Sequence, residues 1–246
     1  MLHKVEYDGP AGRKLLIAHG LFGSARNWNV IAKRLSDSRP VVTVDMRNHG
    51  ASPHFDSHSY NDLAADLAGV IDGQYDVLGH SMGGKAAMVL ATEHPEKVGK
   101  LIVADIAPIG YKHSQMGPIE AMRGVDLSRV ETRADALAQL DGLDPGVPEF
   151  LVQSLDMKAK AWKFNLDTLA ADMDKIIGFP ALDQTFSGDT LFLSGANSDY
   201  VKPIYRDKIR GLFPNAKFAK IPGAGHWLHA EKPRKFEAAV RAFLAM

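Results

Sequence analysis

The stretch Tyr75-Asp-Val-Leu-Gly79-His80-Ser81-Met82-Gly83-Gly84-Lys85 decides how the chain is read. Tyr75–Leu78 reads as a short buried strand, and the residues from about Ser81 to Glu93 keep a helical period until Pro95 stops them. Gly79-His80-Ser81-Met82-Gly83 therefore falls where a strand turns sharply into a helix, the context that a G-x-S-x-G nucleophile elbow requires. A serine on such a turn holds a strained backbone, and the flanking glycines let neighbouring main chain pass close by. Its hydroxyl points out above the sheet, and the helix that follows aims positive dipole at developing negative charge.

Working outward, further non-alternating apolar runs read as buried strands at Lys14–Ala18, Val41–Val44, Leu101–Ala104, Thr190–Leu193 and, more briefly, Phe218–Ile221. Helical stripes lie between them, one through Trp28, Ile31, Ala32 and Leu35 and another through Leu63, Leu67, Val70 and Ile71. Strands alternating with helices give an α/β class with right-handed crossovers and a mostly parallel sheet covered on both faces. The rhythm breaks between Asp105 and Thr190, a gap far longer than a crossover needs. Helix-like pieces at Leu127–Leu140, Glu149–Met157 and Leu166–Ile177 fill it, so it reads as a helical cap inserted after the strand ending at Asp105. The expected division is a core of residues 1–106 and 188–246 with a cap of residues 107–187.

Composition narrows the task. Lys plus Arg and Asp plus Glu both number 29, for a net charge of zero among 246 residues, so no basic surface for nucleic acid or anionic membrane is expected. The absence of cysteine excludes disulfides, thiolate metal sites and a cysteine nucleophile. No apolar run long enough to span a membrane or serve as a signal core occurs, and a cytoplasmic monomer or homodimer is the expectation. The pair His54 and His58 around Asp56 lacks a third ligand and reads as a loop, so no metal or cofactor is expected.

Two more segments carry chemistry. Gly223-Ala-Gly225-His226-Trp227 follows the last strand, and His226 there is a candidate base for the Ser81 proton. His229 enters the next helix and reads as packing or capping. His19-Gly20-Leu21-Phe22-Gly23 ends the first buried strand; the Leu21 N–H, with the Phe22 N–H next in line, would join the Met82 N–H in an oxyanion hole. A rival reading takes Gly79-x4-Gly84-Lys85 as a phosphate-binding loop, but Ala86 stands where that loop needs Ser or Thr.

Together these motifs resemble the α/β-hydrolase superfamily over nearly the whole chain. Asp45-Met-Arg-Asn-His-Gly-Ala-Ser52 also looks like the D-x-R-x-x-G-x-S loop common there, a structural element. More narrowly, HGLFGS, DMRNHG, GHSMGGK and GAGHWLHAEKP are similar to a branch of small intracellular bacterial esterases and their mitochondrial abhydrolase-domain relatives. The usual pattern places the triad acid after the strand Thr190–Leu193, where this chain has Ser198 and brings Asp199 one residue late. Asp105, ending the neighbouring strand, is the favoured acid, with Ser198 bonded nearby and Asp199 the alternative. The resemblance implies a serine esterase for small acyl esters, with thioesterase, lactonase or carbon–carbon bond hydrolase as variants on the same residues. A ligand-binding receptor on the same fold is the alternative of another class. Phe22, Trp227 and Trp162 are expected to line an apolar pocket above Ser81.

Overall fold

The computed structural model describes all of residues 1–246. Nine strands form: β1 (Lys4–Tyr7), β2 (Leu15–Ala18), β3 (Val41–Val44), β4 (Tyr75–His80), β5 (Val98–Ala104), β6 (Leu155–Asp156), β7 (Ala161–Trp162), β8 (Thr190–Gly195) and β9 (Ala216–Ile221). Seven make one sheet in the order β1-β3-β2-β4-β5-β8-β9. Only β1 runs antiparallel, pairing with β3; the other neighbours are parallel. The continuous apolar runs of β2, β3, β4 and β8 are buried throughout, as a sheet covered on both faces demands. β1, which the sequence reading passed over, is an edge strand whose side chains alternate between half-buried and exposed.

Outside the gap the helices are α1 (Asn29–Leu35), α2 (Tyr60–Val70), α3 (Met82–Glu93), α9 (Arg206–Leu212), α10 (Leu228–Glu231) and α11 (Pro233–Leu244). α2 begins on a reciprocal cap in which the Ser59 hydroxyl accepts from the Asp62 N–H. α2, α3 and α9 cover one face of the sheet, burying Leu63, Leu67, Met88 and Ile209 against Leu16, Val77 and Phe192. α1 and α11 cover the other, where Trp28, Ile31, Phe236 and Val240 meet Ile17, Leu78 and Leu193.

The gap between β5 and β8 holds α4 (Met116–Gly124), α5 (Arg133–Leu137), α6 (Val147–Leu151), α7 (Leu166–Ala171) and α8 (Met173–Ile177), whose apolar side chains form a third cluster together with Phe22 from the loop after β2. Its helices are shorter than their periodicity suggests. The piece at Leu127–Leu140 breaks because Thr132 opens a new capping box with Asp135. The piece at Glu149–Met157 ends early, and Leu155–Asp156 instead pairs with Ala161–Trp162 as a two-stranded hairpin. Leu166–Ile177 divides at Asp172, whose carboxylate accepts from the His58 N–H at 2.7 Å and from Lys175 Nζ at 2.8 Å. No helix is long and apolar enough to cross a membrane.

Candidate active site

Three neighbouring strands end at one place. Ser81 leaves β4 at φ +52°, a region that costs an L-residue strain, and two bonds fix it there. Its N–H donates to the Ala104 carbonyl and its carbonyl accepts from the Lys85 N–H, both at 3.0 Å. Only glycine fits on either side: a Cβ at Gly79 would lie 2.2 Å from the Gly83 oxygen, and one at Gly83 would lie 2.5 Å from the Ala18 oxygen.

Asp105 leaves β5 in the same left-handed region, at φ +53°, and is fully buried. Its N–H donates to the Leu193 carbonyl at 2.9 Å. Its carboxylate accepts three hydrogen bonds: from the Gly195 N–H at 3.0 Å, from the Ser198 hydroxyl at 2.5 Å and from His226 Nδ1 at 2.7 Å. His226 Nε2 stands 3.1 Å from Ser81 Oγ. With Nδ1–H donating to Asp105, Nε2 is left as the acceptor for the serine hydroxyl. The backbone carbonyl of His226 accepts from His80 Nε2 at 2.9 Å, so the residue beside the serine also anchors the loop that carries the imidazole. Burial holds the His80 imidazole well below its ordinary pKa, which favours its neutral form.

Asp199 is not part of this arrangement. Its side chain is exposed and lies 3.5 Å from Lys202 Nζ, because the one-residue offset that gives Ser198 the inward place turns Asp199 outward.

The loop after β2 supplies the N–H groups. A turn closed by Gly23 N–H to the Gly20 carbonyl at 3.0 Å carries Phe22 at φ +60°. The Phe22 N–H is already taken, donating to His49 Nε2 at 3.2 Å. That leaves the Leu21 N–H without a protein acceptor, as is the Met82 N–H at the first position of α3. His49 is held in turn by its Nδ1–H on the Arg47 carbonyl at 2.9 Å, and burial lowers its pKa to about 3. His19 repeats the device: Nδ1–H meets the Gly20 carbonyl at 2.7 Å and Nε2 accepts from the Met46 N–H at 2.9 Å. Asp45 completes the support by accepting from the Ala25 and Ala51 N–H groups. The resemblance gives Asp45–Ser52 a structural role only; the signal in the sequence for His49 is a histidine beside a glycine turn.

Above Ser81 opens a cavity of about 410 Å³, walled by Leu21, Phe22, Met82, Ile106, Tyr111 and Trp227 among others. Phe22 and Trp227 are thus in the expected wall. Trp162 is not. It is buried inside the cap, its indole N–H donating to the Met122 carbonyl at 2.9 Å, because a large ring with one donor suits the cap's own core. His229 stacks on Trp28 at 4.3 Å and 11°, packing where the sequence reading expected it, and its ring also reaches the cavity wall. Lys85, read only as a possible phosphate ligand, is buried one turn after Ser81, with Nζ donating to the Ile177 and Gly178 carbonyls at 2.9 and 2.5 Å.

Known proteins share this arrangement of chain. A family model described as "Alpha/beta hydrolase family" matches residues 15–239. The chain is 42% identical to the sn-1-specific diacylglycerol lipase ABHD11 of Mus musculus over 97% of its length and 83% of that protein's. It is 38% identical to esterase YbfF of Escherichia coli (strain K12), covering 94% of this chain and 92% of that one. Among solved structures, a marine microorganism esterase superposes with a TM-score of 0.93 at 39% identity, covering 98% of both chains. By its sheet, its site geometry and these likenesses, the chain belongs to the alpha/beta hydrolase family.

Proposed function

We propose that this chain is a cofactor-independent serine carboxylesterase that cleaves short- to medium-chain acyl esters through an acyl-enzyme on Ser81, under a cap spanning residues 107–187. The observation that carries the reading is the unbroken relay from Ser81 Oγ through His226 to the buried Asp105, opening on an apolar cavity. In it, Ser81 Oγ attacks the ester carbonyl as its proton passes to His226 Nε2. The Leu21 and Met82 N–H groups receive the negative charge that develops on the carbonyl oxygen. His226 then returns the proton to the leaving alcohol as the carbon–oxygen bond breaks, and water repeats the cycle to release the acid. Asp105, steadied by Ser198 and the Gly195 N–H, keeps the imidazole in the tautomer that the attack needs.

The relatives named as esterases and a lipase support an ester as the substrate. The cavity favours apolar acyl groups by its wall of Leu21, Phe22, Met82 and Ile106, and its volume falls within the usual range for small-molecule sites. The test is a pre-steady-state burst with p-nitrophenyl esters of increasing chain length, together with labelling by a serine-reactive phosphonate. A burst, a label on Ser81 and a fall in kcat/KM at long chains are expected; the absence of both burst and label overturns the reading.

A further inference from the structure

The segment that brings Ser198 to the acid continues to an aromatic side chain that the scheme above leaves unused. The Tyr200 ring lies over the His226 imidazole, with centroids 4.1 Å apart and planes 23° from parallel. Several bonds hold it there. The Tyr200 N–H donates to Ser198 Oγ at 3.3 Å, its carbonyl accepts from the Tyr111 hydroxyl at 2.7 Å, and its own hydroxyl meets His113 Nε2 at 2.8 Å. Tyr111 Oη is itself fixed by the Ala107 N–H at 2.9 Å. The ring is therefore tied to the loop after β8 and to the first residues beyond β5, and an imidazole lying against it cannot tilt freely between Ser81 and Asp105.

The stacking has a charge-dependent part. An aromatic face carries negative quadrupole potential, which attracts a cation placed over it. The imidazole is neutral before attack and cationic once the Ser81 proton has moved to Nε2. The contact is thus stronger after proton transfer than before it, and only such differential contacts accelerate the chemical step. We propose that Tyr200 is a positioning residue for His226: its ring sets the imidazole plane and stabilises the imidazolium formed as Ser81 is acylated. The inference rests on the Ser81–His226 reading above.

Other groups face the imidazole. Asp105 lies on Nδ1 from β5, His80 packs at 4.8 Å from β4, and His113 reaches in from the segment after β5 through Tyr200. His229 comes from α10, where burial holds its pKa down to about 3, and Glu231 binds the neighbouring Gly225 N–H at 2.7 Å. Substitution at Tyr200 leaves Asp105, His80, His229 and Glu231 in place, and Tyr200→Phe and Tyr200→Leu both release His113, so a difference between the pH profiles of the two variants reports the ring.

The experiment compares wild type with Tyr200→Phe, which keeps the ring, and Tyr200→Leu, which keeps an apolar cover without it. Tyr200→Met replaces the leucine variant if that one does not fold. The expected result is a fall in kcat of about threefold to thirtyfold for Tyr200→Leu. KM should change by less than about twofold, and the acidic limb of kcat/KM should move to lower pH, as loss of imidazolium stabilisation requires. Tyr200→Phe should recover most of the lost kcat. A leucine variant equal to wild type overturns the inference, as does a rise in KM with kcat retained or an equal fall in both variants. Phosphonate labelling of Ser81 is read in the same samples: a wild type that neither labels nor turns over overturns the esterase reading and this one together, whereas an active wild type matched by Tyr200→Leu overturns only this one.

Discussion

The sheet and the layer above it are held by different physics. In the sheet, β2, β3, β4, β5 and β8 lie side by side in parallel register, and backbone bonds fix nearly every residue. In the cap no helix exceeds the nine residues of α4, and much of the stitching is side chain to backbone. Arg133 donates to the Val152 and Leu155 carbonyls, Trp162 to Met122, and the Lys160 ammonium to Val130. The difference explains where strain can be stored. Ser81 and Asp105 both sit at positive φ, and each is pinned by an N–H that reaches across to the adjoining strand. A conformation that costs of order 1–3 kcal/mol persists only where its surroundings over-determine it. At the sheet's C-terminal edge two such residues sit on adjoining strands beside the cavity, whereas the cap's one non-glycine case, Lys160 at φ +51°, lies in the turn of the β6–β7 hairpin. Chemistry therefore belongs to the sheet, and the cap adds part of the substrate wall through Tyr111, Val147, Phe150 and Ile177.

The largest expected effect tests the first half of that division. Asp105→Asn should retain the fold yet lower kcat by about 10⁴-fold, because the amide can hold the imidazole in the wrong tautomer. Asp199→Asn, which touches only Lys202 at the surface, should stay within about twofold of wild type. Steady-state kinetics on one p-nitrophenyl ester decides between them, and the reverse pattern would move the acid off the end of β5.

A smaller effect is expected at the junction of the two regions. His49 supports Phe22 in the loop of the sheet, while its neighbours receive the cap: the Gly50 N–H donates to the Lys163 carbonyl at 2.8 Å and the Asn165 N–H to the Asn48 carbonyl at 3.0 Å. His49→Leu strands the Phe22 N–H and frees the turn that aims the Leu21 N–H. Outright removal of an oxyanion donor costs 10²–10³-fold, so loosening one should cost about 10- to 100-fold in kcat. The buried unpaired donor should also lower stability by about 1–3 kcal/mol. Loss of stability with kcat intact would mean that the loop keeps its aim without His49.

The two regions were also unequally legible. Buried parallel strands announce themselves as unbroken apolar runs, and the glycines around Ser81 are dictated by contacts under 3 Å, so β2 to β5 and the elbow were readable from residue order. Cap helices of five to nine residues barely exceed one or two turns; their ends are set by caps such as Thr132 and by the tertiary anchor at Asp172, which periodicity does not record. Trp162 illustrates the same limit. Its aromatic character is as suitable for a cavity wall as for a core, and only the Met122 carbonyl 40 residues away assigns it to the core. Asp105 was legible because Ser198 occupied the usual place of the acid. Tyr200 was not, since stacking depends on the fold of two separate loops.

The last effect is read in stability alone and concerns Lys85, where the sheet layer grips the cap. Its Nζ, the Tyr60 hydroxyl and the Tyr111 N–H all donate to carbonyls at the end of α8, those of Ile176, Ile177 and Gly178. No carboxylate pairs with the ammonium; the Tyr60 and Tyr111 rings lie 5.5 and 4.9 Å away. Burial pushes its pKa down to about 7 from the ordinary 10.5. Between those two values the unfolded chain binds a proton that the folded chain has released, so stability rises with pH across the window, by at most about 1.4 kcal/mol per pH unit. Below about pH 7 both states are protonated and this contribution is flat. In Lys85→Met the dependence should vanish, so the difference in urea-unfolding free energy between wild type and variant should grow in favour of wild type from pH 7 to 9.5. A difference that stays constant over that range would show that the two carbonyls and aromatic faces keep the ammonium charged. The seam between sheet and cap would then be a permanent charge clasp, with no sensitivity to pH in this window.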